Sequence, residues 1–175
     1  MRPQIRHNMV IREKRHRLSR EFYKGPISIV FTLCLEKGMT GVASGFSLSE
    51  PKIVNCFTGI LTPSIDRESC IVPVYCFMPD HQHLMITGTR SDSHIWKAVV
   101  SYKQKTGFWM SKHKPGMRWQ KDFYDHVLRN DENIATQVRY ILDNPVRKRL
   151  VSSWEEYPFK GSIRCNLEEV LLGII

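Results

Sequence analysis

The segment Met78-Pro79-Asp80-His81-Gln82-His83-Leu84 carries the densest chemistry in the 175-residue chain. Side chains of a strand alternate between faces, so His81 and His83 project to the same side. Two imidazoles so placed can bind one metal ion; two histidines alternating on a solvated strand give the same pattern. A second group lies near residues 131–143. Residues four apart share a helix face, so Tyr140 stands over Asn144. At about 100° per residue, Asn133, Gln137, Tyr140 and Asn144 cluster on a polar face, about 80–100° round from the stripe of Ile134, Val138 and Ile141. A tyrosine beside that stripe keeps its hydroxyl available for chemistry; a boundary tyrosine with its hydroxyl in water reads identically. The third group is Trp119-Gln120-Lys121-Asp122-Phe123-Tyr124-Asp125-His126-Val127-Leu128-Arg129. Aromatics interleaved with basic residues can stack bases and hold phosphates, or the aromatics can fill a core.

These groups need elements to position them. Residues 27–35 are rich in Ile, Val, Phe, Thr and Leu and read as a strand. Residues 38–47 carry three glycines and two serines and read as loop. Ser49 is the expected cap of a helix starting at Pro51, with Ile53, Val54, Phe57, Ile60 and Leu61 at helical spacing. Residues 71–78 form a second apolar strand. Pro79-Asp80 breaks it, and 81–87 extend again as a third strand or its continuation. Residues 91–113 read as a helix, with Ile95, Val99, Tyr102, Thr106 and Trp109 near one stripe and Lys97, Lys103, Lys105 and Lys112 outside. Residues 119–128 read as a strand. Residues 131–143 read as a helix capped by Asn130 or Asp131, ended by Asn144-Pro145 because the residue before proline leaves the α region. Residues 146–151 add one more turn, and 152–175 form a tail anchored by Trp154, Tyr157 and Phe159. Strands and helices mix without βα regularity. The fold class is therefore α+β, a single domain with an antiparallel sheet and packed helices. The expected divisions are a basic arm over 1–24, a core over 25–160 and a tail over 161–175.

Charge narrows the function. Lys and Arg number 26 against 17 acidic residues, a net charge of +9. Residues 1–24 hold eight Lys and Arg against Glu13 and Glu21, so six of those nine charges sit in the arm. A basic surface of this kind meets nucleic acid most often. No run approaches the roughly 18 apolar residues of a membrane span, and no signal-peptide pattern follows the N-terminal arginines. Five scattered cysteines without a CxxC pair read as reduced thiols. The expectation is a cytoplasmic protein with no membrane contact.

Four motifs together resemble the HUH single-strand transposases. M-P-D-H-Q-H-L-M-I is similar to that family's histidine pair. W-Q-x-x-F-Y-D-H-V-L-R and Y-I-L-D-N-P-V, followed by Leu150-Val151, are similar to its later motifs. R-E-F-Y-K-G-P-I-S-I-V-F-T resembles the opening strand of the REP-associated tyrosine transposase subgroup. The resemblance runs from about Arg20 to Phe159, with the motifs in the family's order. It implies an HUH endonuclease domain with a ferredoxin-like or RRM-like core that cleaves and rejoins single-stranded or hairpin DNA. It further implies that His81, His83 and Asn144 hold a divalent ion, Mg2+ or Mn2+, and that Tyr140 is the nucleophile, leaving a 5′-phosphotyrosine and a free 3′-hydroxyl. Gln82 stands at a position usually hydrophobic in the family, and residues 38–47 lack the family's arginine-rich loop. The residues expected against DNA are Arg12, Lys14, Arg15, Arg17 and Arg20 of the arm, then Lys103, Lys105, Arg118, Trp119, Lys121 and Arg129. No protein partner is implied, and monomer and homodimer both remain open.

Competing readings are specific. Tyr124 is the rival nucleophile, without a polar partner four residues on. A non-catalytic DNA- or RNA-binding protein could share the fold. A structural zinc module would need four protein ligands, usually with paired cysteines, and the chain supplies no such pair.

Overall fold

In a computed structural model, which describes residues 19–36, 45–129 and 132–174, alternation builds the first strand. Ser28–Cys34 (β1) buries Ile29, Phe31 and Leu33 on one side and half-buries Val30, Thr32 and Cys34 on the other. Pro51–Asp66 (α1) follows, burying Ile53, Val54, Phe57, Leu61 and Ile65. Its cap is Glu50, not Ser49, and the Glu50 carboxylate accepts the Ser47 N–H at 3.1 Å. Ser49 instead shares a hydroxyl hydrogen bond with Ser47. Cys70–Phe77 (β2) and His81–Gly88 (β3) pair antiparallel, so 81–88 is a third strand and not a continuation. Their register shifts between Ile71 and Val74, around Pro73, which has no N–H for the ladder.

Ile95–His113 (α2) begins four residues later than expected. The Ser93 hydroxyl accepts from the Thr89 and Arg90 N–H groups and donates to the Ser69 carbonyl, holding 89–93 as a turn. Tyr124–Val127 (β4) is shorter than the strand expected over 119–128; Trp119 makes only an isolated bridge with Leu35. Ile134–Leu142 (α3) is capped by Asn133, whose side chain accepts the Thr136 N–H. This corrects the cap expected at 130 or 131, which lie outside the described residues. Asn144–Arg147 (α4) resumes after Asp143, itself in the α region, so Asn144 is helical despite preceding Pro145. Lys160–Ile163 (β5) and Leu167–Leu171 (α5) complete the chain.

The five strands form one antiparallel sheet in the order β4-β1-β3-β2-β5. The expected boundary at 160/161 runs through β5, which pairs with β2 as an edge strand. The tail is thus part of the domain, and α5 packs Val170 into its core. The expected arm also ends inside the fold. Arg20–Tyr23 is a 3-10 turn whose buried Tyr23 donates its hydroxyl to Asp125 at 2.8 Å. Residues 1–18 and 37–44 lie outside the described residues.

Two cores cover the two faces. α1 and α2 lie over Ile29, Phe31, Leu33, Leu84 and Ile86, where Phe57 meets Phe77, Tyr102, Trp109 and Trp119. α3 and α5 lie over Val30, Val74, Cys76 and Met85, with Val138, Ile141 and Leu142 as the helix contribution. No helix among the described residues is long and apolar enough to cross a membrane.

Candidate active site

β3 alternation places Gln82, Leu84 and Ile86 on the α1/α2 face, and therefore His81, His83 and Met85 on the α3 face. The pairing fixes their neighbours: Cys34 lies opposite His81, while Thr32 and Cys76 flank His83. The imidazoles meet edge to face, with Nε2 to Nε2 at 3.1 Å. Their other nitrogens are occupied. His81 Nδ1 lies 2.6 Å from Asp80 Oδ1, and His83 Nδ1 lies 3.1 Å from Thr32 Oγ1. A carboxylate at Nδ1 keeps the proton there and leaves Nε2 as a lone-pair donor. Burial, then His81 and Arg147, push the His83 pKa down to about 3, with the Asn144 side chain and Asp80 working against the shift. His83 is thus a neutral imidazole near pH 7.

α3 and α4 bring the second half. Asn144 Nδ2 donates to the Ile141 and Tyr140 carbonyls, and its Oδ1 accepts from Arg147 at 2.8 Å. The Asn144 side chain also faces His83. Tyr140, 48% exposed, stands one turn before it. The donor set therefore fits a divalent ion: two converging imidazole nitrogens, spaced for one ion with metal–nitrogen bonds of about 2.0–2.1 Å, and an amide oxygen beside them. Among the described residues no group of three His, Cys, Asp or Glu is placed to hold a metal ion.

The sequence-predicted residues separate into groups. His81, His83 and Asn144 come together, and Tyr140 lies one helical turn before Asn144 on α3. Tyr124 lies opposite Thr32, on the same face as His83 but two strands away, about 9–10 Å by strand spacing, and 49% exposed. Arg20, Lys103, Arg118, Trp119 and Lys121 line one cleft of about 500 Å³ on the α2 side, with Trp96 and Phe123. Within it, Trp119, one of the residues expected against DNA, is largely buried. It is 7% exposed, donates Nε1–H to Thr106 at 2.9 Å and packs on Phe57, so its ring serves the core. Lys103 ties down the loop after it through the Gln120 and Lys121 carbonyls. Arg118 pairs with Glu36 at 2.7 Å, and Lys105 reaches Ser64. Arg20, Lys121 and Arg129 are exposed. Arg12, Lys14, Arg15 and Arg17 lie outside the described residues. Sequence reasoning missed Asp80, Thr32 and Arg147. Asp80 adjoins His81 in sequence, and Arg147 follows Asn144 by one helical turn, so both had a local signal. Thr32 had none, because strand register alone brings it to His83.

Residues 48–144 match the family described as Transposase IS200 like. A Haemophilus influenzae protein assigned to the REP-associated tyrosine transposases is 23% identical over 155 residues, covering 81% of this chain and 82% of that protein. The REP-associated tyrosine transposase of Escherichia coli K12 is 29% identical over 93 residues, covering 50% of this chain and 52% of its own length. A solved REP-associated tyrosine transposase bound to a REP hairpin superposes with a TM-score of 0.65 at 19% identity, over 83% of this chain and 82% of that one.

Proposed function

This chain belongs to the IS200-like transposase family, and on that premise we propose that it cuts and rejoins single-stranded DNA at hairpins through Tyr140. His81, His83 and Asn144 would hold a divalent ion. The observation that carries this reading is the meeting of Nε2 of His81 with Nε2 of His83 at 3.1 Å, beside Asn144 and one turn from Tyr140. The relatives' REP-associated type and the hairpin held by the structural neighbour make REP-like hairpin DNA the proposed substrate.

The chain's own groups divide the work. The Tyr140 oxygen attacks the scissile phosphorus and the bond to the 3′-oxygen breaks. The phenolic proton leaves to solvent, and the departing 3′-oxygen takes one up. The phosphodiester energy stays in the phosphotyrosine, so a 3′-hydroxyl can attack and restore the tyrosine without nucleotide hydrolysis. A phenol with an ordinary pKa near 10 is a weak nucleophile at pH 7 and needs an activated phosphate. A bound Mg2+ or Mn2+ supplies that activation as a Lewis acid on a phosphoryl oxygen. His81, His83 and Asn144 are neutral donors, so they leave the ion's charge undiminished, and imidazole donors favour Mn2+ over Mg2+. Asp80 and Thr32 hold the imidazoles in the donating orientation.

Labelled single-stranded hairpin DNA incubated with the protein and Mn2+ should give a covalent adduct on a denaturing gel, with the adduct peptide containing Tyr140. Chelation, His81→Ala or His83→Ala should each abolish it. An adduct on Tyr124, or one that survives chelation, overturns the assignment. DNA binding without any adduct returns the chain to a non-catalytic binder.

A further inference from the structure

Arg147 touches both Tyr140 and Asn144. It lies three residues beyond Asn144 and seven beyond Tyr140, so the turn from α3 into α4 returns it to their side. Its guanidinium carbon stacks 4.0 Å from the centroid of the Tyr140 ring. One of its amino nitrogens donates to the Tyr140 carbonyl at 3.1 Å and to Asn144 Oδ1 at 2.8 Å. The Asn144 amide nitrogen is committed to the carbonyls of Ile141 and Tyr140, so Oδ1 is the atom this side chain can offer an ion. Arg147 holds that atom.

A guanidinium and a divalent ion repel one another when they share one carboxamide oxygen. The guanidinium has five donors in a planar fork that matches phosphate oxygens better than a lone amide. Arg147 is exposed, so its long side chain can move without disturbing packing.

We propose that Arg147 is a latch between the ion site and the nucleophile. It holds Asn144 Oδ1 and the Tyr140 ring until DNA arrives, then transfers its donors to a phosphate oxygen at the cut site and frees Asn144 for the ion. The proposal rests on the assignment of Tyr140, His81, His83 and Asn144 made above. It makes ion and DNA binding mutually reinforcing, because DNA removes the competitor for the ion's ligand. Thermodynamic linkage requires the same factor in both directions.

The test compares the full-length protein with Arg147→Gln and Arg147→Lys. Calorimetric titration with Mn2+ alone should show Arg147→Gln binding about fivefold more tightly than wild type, since a competing positive charge is gone. At saturating DNA and Mn2+, its adduct formation should be about 100-fold slower, the usual cost of losing one donor to a developing anionic centre. The enhancement of Mn2+ affinity by uncleavable hairpin DNA should shrink in Arg147→Gln, and Arg147→Lys should recover part of the rate. Weaker Mn2+ binding by Arg147→Gln, or an unchanged adduct rate, would overturn the latch and leave Arg147 as packing. Absence of any His81-dependent Mn2+ binding in the wild-type protein would instead remove the site assignment itself, and the latch with it.

Discussion

The two faces of the sheet are built from the same strands and do different work. On the α1/α2 face, side chains interlock around Phe57, with four aromatic neighbours within 6.4 Å between ring centroids. On the α3/α5 face the apolar cluster is smaller, and the sheet there ends in the polar side chains of His81, His83 and Thr32, while α3 carries the exposed Tyr140. β3 serves both faces by alternation alone. The difference teaches that stability and reactivity need not compete when they occupy opposite sides of one strand. Gln82 is the exception. It is fully buried on the packed face, accepts from the Tyr102 hydroxyl at 2.7 Å and leaves its Nε2 without a hydrogen-bond partner among the described residues. A buried polar pair thus sits directly behind the histidines.

The contrast is sharpest in a pair of variants. Tyr140→Phe should lower adduct formation by at least about 10³-fold. Its melting temperature should not move, since an exposed substitution costs within about 0.5 kcal/mol. A large loss of stability would show that the reactive face also carries the fold. Phe57→Ala should do the reverse, costing about 3–5 kcal/mol in denaturant unfolding. The protein that remains folded should bind Mn2+ as wild type does. Weakened Mn2+ binding there would show that packing behind the sheet tunes the site.

Smaller effects probe the boundary between the faces. Gln82→Leu should cost about 1–3 kcal/mol by stranding the Tyr102 hydroxyl, and adding Tyr102→Phe should restore most of the loss. Failure of the double variant to recover, by thermal or chemical unfolding, would give Gln82 a role beyond that hydrogen bond. The gentlest probe is pH. His83 titrates near 6.5 when unfolded and at about 3 when folded, so between those values the unfolded chain binds the extra proton. Its contribution is complete above about pH 6.5 and is lost as pH falls toward 3, at up to about 1.4 kcal/mol per pH unit. Without metal, His83→Gln should show a flatter stability profile than wild type across that window. Parallel profiles would mean that the imidazole is not desolvated as its position implies.

What was legible followed from local geometry. Runs of apolar and β-branched residues located β1 and β2 and an extended segment after Pro79-Asp80, and helical spacing located α1 and the core stripe of α2. Period two put both histidines on one face, and the four-residue step put Tyr140 over Asn144, because backbone geometry dictates these relations within a few residues. The ends were less legible. Asn133 caps α3, and Ser93 delays α2, through side-chain hydrogen bonds to nearby backbone that competing polar residues could equally have made. Trp119 was ambiguous because the same ring can stack on a base or fill a core. The Thr106 hydroxyl and the Phe57 ring, reached only in three dimensions, decide for the core.

The sequence by itself determined the α+β composition, the paired imidazoles, the tyrosine helix and the basic charge. Only the tertiary structure decided that α3 lies over the histidine face, that Thr32 meets His83, and that Lys-Gly-Ser-Ile at 160–163 is a strand. Those four residues carry no alternating apolar signal; they extend because the open edge of β2 offers unpaired backbone N–H and C=O groups. Periodicity is a property of a few neighbouring residues, whereas the meeting of remote segments depends on which apolar faces bury each other.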